Sequence, residues 1–133
     1  MKLAQYASRP CIFIGSSRDD LKGFPASVRG EIGHALHEAQ LGGEAVSAKA
    51  LKGFGGRGVL EIVEDFDGDT YRAVYTVRFA GVIYVLHAFQ KKSKRGIATP
   101  KQHIALVTRR LRIAQEDYRT RPAGQERFGD RGR

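Results

Sequence analysis

Residues 59–90 read VLEIVEDFDGDTYRAVYTVRFAGVIYVLHAFQ, and two interruptions cut this run into three pieces. Asp67-Gly68-Asp69 is a turn of the kind that joins paired strands, and Ala80-Gly81 makes a second tight connection. Val59–Glu64 is the first strand. In the second, Tyr71–Phe79, the residues Tyr71, Ala73, Tyr75, Val77 and Phe79 alternate with Arg72, Val74, Thr76 and Arg78, the period of a strand with two unlike faces. The third, Val82–Gln90, is apolar at both parities, which fits a strand covered on both sides. The short links make the three an antiparallel meander.

On the N-terminal side, Cys11-Ile12-Phe13-Ile14 is a β-prone run that reads as an earlier strand, with Cys11 a buried thiol. Ser17 with Asp20 is a capping-box pattern, and Pro25 suits the first turn of a longer helix. That helix carries Val28, Ile32, Ala35, Leu36 and Ala39 on one stripe and stops at Gly42-Gly43, so residues 17–41 read as a helical hairpin. Gly53–Gly58, GFGGRG, lacks the trailing Lys-Ser/Thr of a phosphate-binding loop and reads as a connection. On the C-terminal side, Thr99-Pro100-Lys101-Gln102 combines a cap residue, a first-turn proline and a capping-box glutamine. Ile104, Val107, Leu111, Ala114 and Tyr118 then form the apolar stripe of a final helix; Lys101, Arg109, Arg110 and Arg112 lie off it, and His103 reads as a surface residue. The expected architecture is α+β: a small antiparallel sheet packed against an N-terminal helical hairpin and a C-terminal helix. One domain is expected over 1–118, followed by a basic, disordered tail over 119–133.

The formal charge is +9 over 133 residues, and it is concentrated. Residues 1–90 hold 10 basic and 10 acidic side chains, whereas residues 91–121 hold 10 basic and 2 acidic. A local positive field of this kind attracts polyanions, and counterion release from phosphates strengthens the attraction. The bland alternative is a solvated basic surface. Membrane binding would need a helix face free for lipid, and the final helix uses its apolar face on the core. No apolar run is long enough to span a bilayer, and Met1–Arg9 has no apolar signal core, so a cytoplasmic location is expected. One cysteine excludes an internal disulfide. His34 and His37 share a helix face without further ligands at metal spacing, so no metal and no cofactor are expected.

Arg72 and Arg78 on one strand, His87 on the next, and Lys91, Lys92, Lys94 and Arg95 where that strand ends could gather cations at one end of the sheet. Such a cluster suits RNA cleavage. The RNA supplies its own 2′-hydroxyl nucleophile, and fixed cations stabilise the extra charge of the phosphorane-like transition state. The structural alternative pairs Arg72 with Glu61 or Glu64 across the hairpin.

The string Tyr71-Arg72-Ala73-Val74-Tyr75, followed by Val82-Ile83-Tyr84-Val85-Leu86-His87-Ala88-Phe89-Gln90-Lys91-Lys92-Ser93 and by Thr99-Pro100 opening a helix, resembles the phage-derived, HigB-like branch of the RelE/ParE toxin superfamily over residues 10–118. The resemblance implies a RelE-like fold and the toxin of a type II toxin–antitoxin pair, a metal-independent, ribosome-dependent mRNA endoribonuclease. It also implies a helix-turn-helix antitoxin in a hetero-oligomer, and mRNA on the ribosome as the second partner. Carried over, Arg72 matches the arginine on the scissile phosphate, Lys91 and Lys92 match the basic pair at the strand end, and His87 is the neighbouring proton-transfer group. One departure stands out: the basic residues that RelE-type enzymes carry on the preceding strand are replaced here by Glu61, Glu64 and Asp65. Either a carboxylate, Glu61, serves as the base, or Lys49, Lys52 and Arg57 supply charge from the loop before it, or catalysis is weak. Lys52, Arg57, Arg78, Lys94 and Arg95 are the expected RNA contacts. The same departure keeps open a non-catalytic, ParE-like gyrase inhibitor, and a third reading is a basic RNA-binding phage-derived protein without toxicity.

Overall fold

A computed structural model of the chain describes residues 8–56, 58–91 and 99–121. Eight elements follow in order: β1 (Cys11–Phe13), α1 (Ser17–Lys22), α2 (Ala26–Gln40), β2 (Ala48–Ala50), β3 (Val59–Phe66), β4 (Asp69–Thr76), β5 (Ile83–Lys91) and α3 (Lys101–Thr120). The five strands form one sheet in the order β1-β5-β4-β3-β2. The expected meander is β3-β4-β5, antiparallel throughout. Two further strands frame it. β1 pairs with β5 in parallel, which makes the sheet mixed, and the unforeseen β2 pairs with β3 through Lys49 opposite Glu61.

Each face of the sheet has its own core. Val28, Ile32, Leu36 and Ala39 of α2 pack on Leu60, Ile62, Ala73, Tyr75, Ile83 and Val85. Val107, Leu111 and Ala114 of α3 pack on Val59, Val74, Tyr84 and Leu86. β5 lies between β1 and β4 and is buried from Ile83 to Phe89, which explains why its sequence shows no alternation.

A bulge in β5 sets which of its side chains meet α3. Val74 is opposite His87, but Tyr75 is opposite Val85, so Leu86 is the extra residue. Leu86 packs in the α3 core and His87 bonds to α3, so two consecutive side chains face the same helix. Ala88 then returns to the α2 side, and Phe89 lies against α3. Without the extra residue the simple period would turn His87 and Phe89 to the opposite face. Arg110 anchors the bulge: Nη1 donates to the Leu86 carbonyl at 3.0 Å and Nη2 to Ser16 Oγ at 3.1 Å. Its guanidinium is thus turned back onto the fold, while Lys101, Arg109 and Arg112 are exposed as expected.

Both anticipated capping boxes are diverted to tertiary contacts. Neither α1 nor α3 has a side-chain cap bond. Ser17 Oγ donates to the Val85 carbonyl at 3.2 Å, and Thr99 turns its hydroxyl to the sheet. The second strand also stops early, at Thr76, although Val77 N still donates to the Gly58 carbonyl at 2.9 Å. Helix α3 runs past the boundary expected at 118, as its last turn is held by Arg119–Glu116 at 3.7 Å and Arg121–Asp117 at 2.6 Å. Residues 122–133 of the expected tail lie outside the described residues. Cys11 is half-buried on the edge strand β1, and burial pushes its thiol up to about 12.

Gly15 joins β1 to α1 with φ +59°, and a Cβ there would lie 2.7 Å from Arg110 Cζ. Gly15→Ala therefore meets both a left-handed backbone and the arginine that holds the bulge. It is expected to cost about 1–2 kcal/mol and lower the melting temperature by several degrees; an unchanged melting temperature would contradict this account of the α1–α3 contact.

Candidate functional site

Beneath the first turn of α3 the sheet face changes from apolar to polar. Glu61 of β3 and Arg72 of β4 each have side chains only 3% exposed, and Arg72 Nη1 donates to Glu61 Oε2 at 3.1 Å. The two are diagonal neighbours, since Arg72 stands directly opposite Val63 and Glu61 opposite Val74. Thr99, just before α3, completes a triangle: its hydroxyl donates to Glu61 Oε2 at 2.6 Å and accepts from Arg72 Nη1 at 3.2 Å. A buried carboxylate and guanidinium are tolerable because each answers the other and the hydroxyl serves both.

The next column lies on β5. Phe89 is directly opposite Arg72, and its ring stacks on His103 of α3 with centroids 3.8 Å apart and planes 11° apart. His103 Nδ1 lies 2.8 Å from Nε2 of His87, which is 5% exposed. Burial above all, then His103 and Arg110, lower the His87 pKa to about 4, against a small opposing effect of Asp20. Burial and then Lys91 also lower the His103 pKa. Both rings are therefore neutral at pH 7.

Lys91 ends β5 opposite Thr70, on the same face as Arg72 and one diagonal step away, a separation of about 7–8 Å between such positions. Beside this layer a groove of about 460 Å³ opens between β2 and α3. Lys49, Lys52, Leu51, Ile104, Thr99 and Glu61 line it, with both lysines exposed. Through Glu61 and Thr99 the groove touches the ion-pair triangle.

The structure thus brings Glu61, Arg72, His87 and Lys91 under one helix turn, with Lys52 at the groove rim. It does not present Arg72 as an open phosphate ligand: its guanidinium is committed to Glu61 and Thr99, the structural alternative considered from sequence. Arg78 is not part of the cluster. It lies six residues from Arg72, about 20 Å of strand, and donates to the Phe54 carbonyl at 3.1 Å. Lys92, Lys94, Arg95 and Arg57 lie outside the described residues. Thr99 and His103 were the residues misread from sequence, one as a helix cap and the other as surface. Their four-residue spacing, continued by Val107 and Leu111, is the signal that places them on the sheet-facing stripe. Among the described residues no group of three or more His, Cys, Asp or Glu could hold a metal ion, and no helix is long and apolar enough to cross a membrane.

Residues 19–112 match the family model of phage-derived Gp49-like proteins. No curated protein matches this sequence. Among solved structures, a double arginine mutant of the E. coli toxin RelE in the free state aligns with a TM-score of 0.55 at 15% identity, over 78% of this chain and 98% of that one. The fold is RelE-like.

Two measurements check this geometry. The unfolded chain protonates His87 near pH 6.5, whereas the folded chain resists protonation down to about 4. Stability is therefore full above pH 6.5 and falls as the pH drops towards 4, by about 3 kcal/mol from this group. Urea titrations from pH 8 to 4 should show the fall in the native protein and a reduced one in His87→Gln; equal slopes would exclude His87 as the source. Thr99→Val removes the hydroxyl shared by Glu61 and Arg72 and should destabilise by about 1–3 kcal/mol, read as a shift in the urea midpoint; no shift would mean that the hydroxyl is dispensable.

Proposed function

We propose, since the chain belongs to the phage-derived Gp49-like family of RelE-like toxins, that it is the RNA-cutting toxin of a toxin–antitoxin pair and acts as a metal-independent endoribonuclease on mRNA in the ribosome. The observation that carries this reading is the groove that has Lys49 and Lys52 on its rim and the Glu61 carboxylate in its wall. RNA needs little else from a protein. A 2′-hydroxyl attacks the adjacent phosphorus, the 5′-oxygen leaves, and the products are a 2′,3′-cyclic phosphate and a 5′-hydroxyl end.

In this scheme the part of the Glu61 carboxylate that lines the groove accepts the 2′-hydroxyl proton and, once protonated, returns it to the leaving 5′-oxygen, while Lys49, Lys52 and Lys91 stabilise the charge that builds on the phosphorane oxygens. The same reading makes Lys92, Lys94, Arg95 and Arg57 RNA-binding residues. Arg72 keeps its place in the mechanism by holding the Glu61 carboxylate in orientation, and Thr99 closes that contact from the helix side. The partner that silences such a toxin is a helix-turn-helix antitoxin that covers the cationic face with acidic groups.

One observation favours a second reading. The phosphate contact that the resemblance implies is unavailable to an Arg72 that is 3% exposed, which suits a toxin that binds DNA gyrase without cutting RNA. The two differ in their products. With purified protein and mRNA-programmed ribosomes, the nuclease reading expects new transcript ends bearing 5′-hydroxyls. Lys49→Ala/Lys52→Ala should cut at least about tenfold more slowly, equivalent to about 1.4 kcal/mol of transition-state stabilisation, at an unchanged melting temperature. Intact transcripts together with growth arrest and a DNA-damage response would overturn it in favour of gyrase.

A further inference from the structure

The imidazole pair beneath α3 contains a group that the scheme above does not use. His87 is 5% exposed and shut off from any substrate, whereas His103 is half-buried and reaches the surface. The 2.8 Å contact between His87 Nε2 and His103 Nδ1 requires one proton between them. Which ring supplies it follows from the far side of His87. Its Nδ1 is buried with no hydrogen-bond partner among the described residues. A buried N–H without an acceptor is rarer and more costly than an unused lone pair. His87 Nδ1 is therefore bare, and Nε2 carries the proton and donates it to His103 Nδ1. His103 in turn bears its own proton on Nε2, the nitrogen turned away from His87.

Stacking on Phe89 at 3.8 Å fixes the plane of the His103 ring, so the direction of that N–H is fixed as well. Lys91 bears on the same ring, while Arg110 of α3 and Asp20 of α1 face His87. We infer that His103 is an uncharged hydrogen-bond donor to a phosphate oxygen of bound RNA, placed beside the cation Lys91, and that His87 is the positioning residue that fixes its tautomer. This rests on the RNA-cutting reading and adds to it a phosphate contact that carries no charge. Burial keeps both rings neutral at pH 7, so the contact is a dipole rather than an ion pair.

An uncharged contact differs from a cationic one in its salt dependence. Each cation on single-stranded RNA contributes about −0.7 to the slope of log K against log salt, and a neutral donor contributes nothing. Binding of a short single-stranded RNA oligonucleotide to the full chain is measured at several salt concentrations. His103→Ala should weaken binding by about three- to tenfold with the slope unchanged, His103→Gln should recover part of the loss through its amide N–H, and Lys91→Ala should flatten the slope by about 0.7. Nitrogen-15 NMR of the histidines at pH 7.5, without RNA, should show protonated Nε2 and bare Nδ1 on both rings. His87→Gln should broaden or mix the His103 signals.

Binding by His103→Ala equal to the native protein, or a slope change as large as that of Lys91→Ala, overturns the proposal, as does a His103 with its proton on Nδ1. Absence of salt-dependent RNA binding by the native protein, with the lysine variants equally inert, sinks the RNA-cutting reading itself. The tautomer is read without RNA, so the two failures are told apart.

Discussion

A carboxylate and a guanidinium 3.1 Å apart, each only 3% exposed, are an expensive thing to build into a sheet of this size. Taking two charges out of water costs several kcal/mol per ion, and their mutual attraction offsets this only in good geometry with the remaining lone pairs and protons satisfied. Here Glu61 comes from β3, Arg72 from β4 and the satisfying hydroxyl of Thr99 from the start of α3. Three segments distant in sequence must therefore arrive together. If β3 slipped by one residue against β4, Glu61 would turn to the α2 core and leave Arg72 alone on the α3 side. The ion pair thus fixes hairpin register and helix position at once, and it fixes the wall of the groove that opens on Glu61.

The β5 bulge performs the corresponding service on the other side of Arg72. It moves His87, Phe89 and Lys91 onto the face already occupied by Arg72, so that imidazoles, an aromatic ring and a cation line up against the first turns of α3. At the far end of that helix, Tyr84 donates to Asp117 at 2.6 Å, and Tyr118 donates to the Ala80 carbonyl at 2.9 Å. Helix α3 is therefore anchored at both ends, by polar contacts at the start and by aromatic residues near the finish. A rigid support of this kind suits a site whose chemistry is preorganised charge.

The hairpin Val59–Thr76, the paired helices and the final helix were legible because apolar periodicity and turn residues state them locally. What escaped was tertiary. Thr99 has every local mark of a cap, yet it bonds to Glu61 because a buried carboxylate is a stronger acceptor to satisfy than a solvated helix end. His103 precedes Val107 by one helical turn, but a polar residue at the margin of a stripe reads as surface until its partner, His87, is known. That partner could not be placed from sequence, since β5 is apolar on both sides and conceals the bulge that sets its phase. β2 is three residues long with little apolar content, too short for any periodicity to register. Arg72 was legible as important, while its direction, inward to Glu61 rather than outward to a phosphate, was one of two readings the sequence left open.

The groove, the imidazole pair and the anchored helix all depend on Glu61 and Arg72 acting as one unit. A double-mutant cycle on stability, using Glu61→Gln, Arg72→Met and the pair together, measures that dependence directly. Each single change leaves a buried group without its counterpart, so the coupling energy should exceed about 2 kcal/mol. Single effects that add within about 0.5 kcal/mol would mean that the two side chains are independent, and the site would have no common foundation.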